Sequence, residues 1–113
     1  MTRPSRGEVW LADLTPTRGH EQAGRRPVLI VSENVFNQGP AELVIVVPLT
    51  STHRGIPAHV PITPPEGGLR TPSVILCDAI RSIAKERLVL QWGPISPATM
   101  AQVEDRLRIL LRL

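Results

Sequence analysis

Proline recurs twelve times in this chain of 113 residues. A proline inside a helix removes a backbone donor and clashes with the preceding turn, and inside a sheet it is confined to edges and bulges. So many of them favour short strands joined by turns. A chain of this length suits one domain spanning residues 1–113. Such a domain buries roughly two-thirds of the surface its unfolded chain exposes, and folds without metal or disulfide staples. Apolar residues make up 42%, which excludes a disordered chain.

The hydrophobic pattern supports this. Val9 and Leu11 belong to a short strand-like run, and residues 13–26 read as a long loop. Pro27 to Ser32 is a second strand, and Glu33 to Glu42 a turn region. Leu43 to Leu49 is the strongest strand, with Val44, Ile45, Val46 and Val47 in succession. An unbroken apolar run of this kind predicts burial on both faces. His59 to Ile62 reads as an edge strand because Pro61 cannot donate to a ladder. Ser73 to Cys77 and Ala79 to Ile83 read as strands with Asp78 between them, and Arg87 to Trp92 as another. The pattern then changes. Ser96-Pro97 offers a capping hydroxyl followed by proline at the first helical position. Met100, Val103, Leu107, Leu110 and Leu111 form one apolar stripe at helical spacing, able to cover the sheet or meet a second copy. The expected fold is mainly β, a strongly bent sheet or partly open barrel with a C-terminal helix.

Composition narrows the function classes. The net charge is +3, and the basic residues are twelve arginines and one lysine, Lys85. Arginine presents a planar fork of donors that fits phosphate. Coding preference alone also enriches arginine, so individual positions have to decide. The three aromatic residues, Trp10, Phe36 and Trp92, are too few for a base-stacking RNA module. Cys77 is the sole cysteine, so no internal disulfide forms. Arg3 and Arg6 are followed by no apolar stretch of signal-peptide type, and Leu43 to Leu49 is too short to span a bilayer. A cytoplasmic protein is expected, without a membrane partner.

Several chemistries lack their residues. His20, His53 and His59 do not show zinc-site spacing and read as surface histidines, Cys77 has no partner, and no carboxylates cluster as a magnesium cage does. No metal or other cofactor is expected. No glycine-rich loop opens a helix, and no serine sits in a nucleophile elbow.

Three segments carry more information. Gly19-His20-Glu21-Gln22-Ala23-Gly24-Arg25-Arg26-Pro27 ends where an apolar strand begins. In Val47-Pro48-Leu49-Thr50-Ser51-Thr52 the strongest strand ends in three hydroxyls. Ser73 to Ile83 sets Asp78 and Arg81 among apolar residues. From pattern alone, alternatives stay open: an Arg26–Glu21 pair, a Thr50 hydroxyl turned to solvent, and an Asp78 that satisfies a local turn.

Arg6-Gly7-Glu8-Val9-Trp10, Glu21-Gln22-Ala23-Gly24-Arg25-Arg26-Pro27, Pro48-Leu49-Thr50 and Ser73-Val74-Ile75-Leu76-Cys77-Asp78 together resemble the MazF/PemK-type toxins, in the family's order and at compatible spacing. The resemblance implies a homodimeric SH3-like barrel of PemK/CcdB type that cleaves single-stranded mRNA at short sequences. It also implies neutralisation by a small acidic antitoxin. Arg26 and Thr50 match the family's catalytic arginine and threonine, Glu21 and Gln22 match loop residues near the substrate, and Asp78 matches an acidic position beside the groove. Gln22, Ser51, Asp78 and Arg81 are the expected RNA contacts. One branch of the family uses a catalytic arginine two residues before the aspartate. Here that position is Leu76, so that version of the mechanism does not carry over. His20 is not assigned as the base.

The implied reaction needs no metal. The RNA's own 2′-hydroxyl attacks the adjacent phosphorus and leaves a 2′,3′-cyclic phosphate. Arg26 suits charge stabilisation and Thr50 orientation of the phosphate. A guanidinium does not give up its proton in proteins, so Arg26 is no general base. Glu21 is the candidate for proton transfer. The rival reading is a toxin of the same fold that poisons a topoisomerase by binding it, which needs a docking surface and no phosphate site.

Overall fold

The computed structural model describes residues 3–14 and 24–113. His20, Glu21 and Gln22 lie outside the described residues. Among the described residues seven strands form one antiparallel sheet: β1 (Glu8–Asp13), β2 (Arg25–Ile30), β3 (Leu43–Thr50), β4 (His59–Ile62), β5 (Ser73–Leu76), β6 (Arg81–Ala84) and β7 (Leu88–Pro94). Their order is β4-β5-β3-β2-β1-β7, with β6 paired to β3 off this path. The sheet does not close into a complete barrel, so the partly open form of the expectation holds. α1 (Asn34–Asn37) is a single turn, and α2 (Pro97–Leu111) is the terminal helix.

β3 is the hub, and its sequence explains why. Val47 and Leu49 enter a core with Val9, Leu29, Ile75 and Val103. Val44 and Val46 point the other way, into a second core with Trp10, Val28, Ile30 and Ile83. Alternating side chains therefore both find apolar partners, as the unbroken run predicts. Each fully buried Val, Leu or Ile contributes about 1.5–3 kcal/mol.

β5 and β6 run along β3 as one interrupted strand. Leu49 faces Ile75, and continuing that register would set Val46 opposite Asp78. Val46 faces Arg81 instead, three residues further on. The 3-10 turn Cys77–Ala79 takes up those three residues. Cys77 thus leaves the strand expected for it, and Asp78 is thrust out of the ladder.

Two other boundaries differ from expectation. Residues 13–26 are not all loop: Asp13 pairs with Arg25 and Ala12 with Arg26. The turn region at 33–42 contains α1, whose Asn37 is buried and donates from Nδ2 to the Ser32 carbonyl at 2.9 Å. A single helical turn has too few residues for a periodic signal.

α2 begins as expected. The Ser96 hydroxyl accepts from the Thr99 N–H at 3.1 Å, with Pro97 at the first helical position. Val103 is buried, and Met100 and Leu107 pack on the first core. The stripe then runs off the sheet, leaving Leu110 and Leu111 about half exposed. Arg106 Nε donates to the Pro57 carbonyl at 2.9 Å and ties the helix to the loop before β4. Arg6 Nη2 pairs with Glu104 at 2.5 Å, fastening the N-terminal segment to α2. Among the described residues no helix is long and apolar enough to cross a membrane.

Candidate active site

Arg26 is the second residue of β2, and Thr50 is the last of β3. β2 and β3 pair antiparallel with Val28 opposite Pro48. Two residues further out, the same register sets Arg26 opposite Thr50, on one face of the sheet. Both side chains leave the core where the strands end.

Two open grooves meet at this point. The first, of about 580 Å³, is lined by Arg25, Arg26, Thr50, Arg70 and Trp92 among others. The second, of about 400 Å³, is lined by Arg26, Thr50, Arg54, His59, Leu76 and Asp78 among others. Arg26, Thr50 and Ser51 line both grooves and form the divide between them. Three arginines on the first groove and two on the second, Arg26 being common to both, make the surface suited to a phosphate chain.

Thr50 is oriented by its own chain. Its Oγ1 accepts from the Thr52 N–H at 3.2 Å. A hydroxyl has one proton and two lone pairs. With one lone pair taken by the turn, the proton stays available to an acceptor in either groove.

Asp78 reaches the second groove because the 3-10 turn pushes it there. Its Oδ1 lies 3.0 Å from His59 Nε2. His59 is not the surface histidine that the sequence suggests, since its side chain is only 7% exposed. Alternation along β4 misleads here. Val60 and Ile62 are buried and Pro61 is exposed, so His59 should also face out. The Cys77–Ala79 insertion next to its ladder partner Leu76 supplies the cover.

The remaining expected site residues fall differently. Ser51 is exposed on the divide. Leu76 is buried at the end of β5 and gives the second groove an apolar wall where the related branch has arginine. Arg81 starts β6 opposite Val46 and lines neither of these two grooves. Arg25, Arg54, Arg70 and Trp92 were not anticipated. Arg25 lies beside Arg26 in the Glu21–Pro27 segment, whereas Arg54, Arg70 and Trp92 become neighbours of the site only through folding, and no local motif marks them.

Cys77 is buried beside Asp78. Burial pushes its thiol up to about 11, against the lowering effect of the Arg106 guanidinium, with Asp78 adding to the rise. It stays a protonated, poorly nucleophilic thiol at neutral pH. Among the described residues no three histidine, cysteine or carboxylate side chains gather as a metal-binding group.

Comparison with known proteins gives the family and the fold. A family model described as the PemK-like, MazF-like toxin of type II toxin–antitoxin systems matches residues 5–111. Endoribonuclease EndoA of Bacillus subtilis is 36% identical over 109 residues, covering 96% of this chain and 94% of the relative. The crystal structure of MazF from Deinococcus radiodurans superposes with a TM-score of 0.86 at 31% identity, with 100% of both chains covered. A mycobacterial endoribonuclease in complex with its cognate antitoxin superposes with a TM-score of 0.80 at 31% identity, covering 100% of this chain and 97% of that one.

Proposed function

The chain belongs to the PemK-like, MazF-like toxin family of type II toxin–antitoxin systems, and on that premise we propose that it is a metal-independent endoribonuclease cutting single-stranded mRNA at a short sequence. The observation that carries this reading is the shared divide. Arg26 and Thr50 sit where two basic grooves meet, so a strand can lie in both while its scissile phosphate rests between them. The rival, a topoisomerase-binding toxin, is not favoured: EndoA and the mycobacterial neighbour are both named endoribonucleases.

In this reading the 2′-oxygen forms a bond to phosphorus as the bond from phosphorus to the 5′-oxygen breaks. The products are a 2′,3′-cyclic phosphate and a 5′-hydroxyl. The 2′-proton passes to a base and a proton reaches the departing oxygen. Arg26 donates hydrogen bonds to the phosphorane oxygens as their charge grows. Thr50 donates its free proton to the same phosphate. Glu21, separated from Gly24-Arg25-Arg26 by Gln22 and Ala23, is assigned to proton transfer. Gln22, Ser51 and Asp78 contact the flanking nucleotides. The basic grooves also suit an acidic antitoxin, whose charge competes for the surface RNA would occupy. We further infer that residues 1–113 act as one toxin domain, in the cytoplasm where mRNA is found, and as a homodimer.

Arg26→Ala and Thr50→Ala, each checked for folding by circular dichroism, test the site on a labelled RNA. Loss of one oriented donor to a developing oxyanion costs roughly 10²–10³-fold in rate. Near-wild-type cleavage by both variants overturns the assignment. A substrate with one 2′-deoxy sugar 5′ to the scissile phosphate should resist cutting by the wild-type protein, and EDTA should leave cleavage of ordinary RNA unchanged. Normal cleavage of the deoxy substrate would point instead to an activated water.

A further inference from the structure

We propose that His59 is a positioning residue of the RNA site, holding Asp78 so that one carboxylate oxygen is a fixed acceptor for a nucleobase N–H in the second groove. This rests on the endoribonuclease reading and adds to it a residue and a recognition chemistry.

The histidine is placed against the pattern of its own strand, under the Cys77–Ala79 turn, with its side chain 7% exposed. Its Nε2 meets Asp78 Oδ1 at 3.0 Å, and its Nδ1 is buried with no hydrogen-bond partner. A buried N–H without an acceptor is rarer and less tolerated than a buried lone pair without a donor. The network therefore sets the proton on Nε2, where it is donated to Asp78. A residue that only filled this space would carry no nitrogen. The imidazole leaves one nitrogen unsatisfied and supplies one oriented donor, and that donor is spent on Asp78.

The effect falls on Asp78. A carboxylate on an exposed turn rotates broadly about its terminal torsion. With Oδ1 tied to a buried ring, its plane is fixed. Oδ2 makes no hydrogen bond to a described residue, and Asp78 lines the groove that Arg26, Thr50 and Ser51 also line. A fixed anion there repels phosphate. Its matching ligand is a hydrogen-bond donor, and the donors an unstacked nucleotide offers at its base edge are ring and exocyclic N–H groups. Leu76 beside it gives the base an apolar surface.

The test uses the wild-type protein and the variants His59→Ala, His59→Leu, His59→Gln, Asp78→Asn and His59→Ala with Asp78→Asn, each checked by circular dichroism and thermal melting. After the cut site is mapped, oligoribonucleotides carry one N-methylated base at each N–H-bearing position of the recognised sequence in turn. At one position methylation should lower wild-type kcat/KM roughly tenfold, as expected for one lost hydrogen bond to a charged acceptor. His59→Ala and Asp78→Asn should both cut the methylated and plain substrates at nearly equal rates, and the double variant should do no worse than either. His59→Gln, which keeps a side-chain N–H, should recover the preference. His59→Leu, which fills the space without a donor, should not, and it reads the same effect if alanine fails to fold. Full preference in His59→Leu, or losses that multiply in the double variant, overturns the positioning role. A wild-type protein that cuts RNA with no methylation sensitivity overturns this inference alone. A wild-type protein that cuts no RNA overturns the nuclease reading and this inference with it.

Discussion

Gly68 adopts φ +70°, and a Cβ there would lie 2.4 Å from the Trp92 carbonyl oxygen and 2.8 Å from its carbonyl carbon. Both contacts are backbone, which cannot swing aside as a flexible side chain can. Gly68 and Trp92 together line the first groove, so the close approach of the 66–68 turn to β7 shapes that groove. Gly68→Ala should lower stability by about 1–3 kcal/mol, from left-handed backbone and steric conflict together. A denaturant midpoint unchanged from wild type would contradict this. At this scale the sequence is unevenly legible. Arg26 and Thr50 lie at readable strand boundaries, but only the family resemblance picks them out as candidates. His59 cannot be found, because alternation assigns it to solvent and its cover comes from residues 77–79. Arg54 and Arg70 come from separate segments, and only the folded sheet puts Arg70 on the first groove and Arg54 on the second, each with Arg26.

The start of α2 shows an element tied down from outside itself. Glu66 Oε2 accepts from the Ser96 N–H at 2.8 Å, linking the 66–68 turn to the helix cap. Burial alone would raise the Glu66 carboxyl. Hydrogen bonds from the Thr99 side chain and from the backbone and hydroxyl of Ser96 outweigh it and hold the group below its ordinary value of 4.5. A carboxyl whose folded pKa is depressed adds stability above its unfolded pKa, and that stability is lost as pH falls through the folded value. Glu66→Gln should therefore melt below wild type near neutral pH, and the gap should close as pH falls below about 4.5. Melting curves taken between roughly pH 7 and pH 3 measure it. A gap that stays constant across that range would assign the loss to packing alone. The helix itself was legible, since Ser96-Pro97 announces its start and Val103 its buried face. The tie from Glu66 was not, because it joins residues 30 apart through the fold. Short elements were equally hidden: α1 and the Cys77–Ala79 turn are too brief for periodicity, although the second of them sets the shape of the second groove.

For the whole molecule, the open sheet and the terminal helix together decide what is left uncovered. β4 and β7 are the outer strands of the sheet. α2 covers the first core with Val103, Met100 and Leu107, then continues past it. Its end leaves Ile109 69% and Leu113 86% exposed, beside the half-exposed Leu110 and Leu111. Ile56, Pro57, Ala58 and Arg106 join Ile109 and Leu110 around an apolar hollow of about 540 Å³. A single sequence cannot distinguish a stripe that covers its own sheet from one that meets another copy. Here the fold splits it, with the N-terminal half spent internally and the C-terminal half still exposed. Contiguous exposed apolar surface of this kind marks interaction sites in soluble proteins. If the proposed homodimer pairs through this half of the helix, identical copies would bury two such patches at once. Sedimentation equilibrium of the purified protein should then give twice the chain mass of 12.4 kDa. Leu110→Asp, which puts a carboxylate on the patch while leaving Val103 and both cores untouched, should shift the mass towards one chain and lower RNA cleavage with it. A wild-type protein that sediments as one chain at every concentration rules out the homodimer. A Leu110→Asp protein that remains a dimer moves the interface away from α2, to surfaces such as the exposed Val89 and Leu90 of β7.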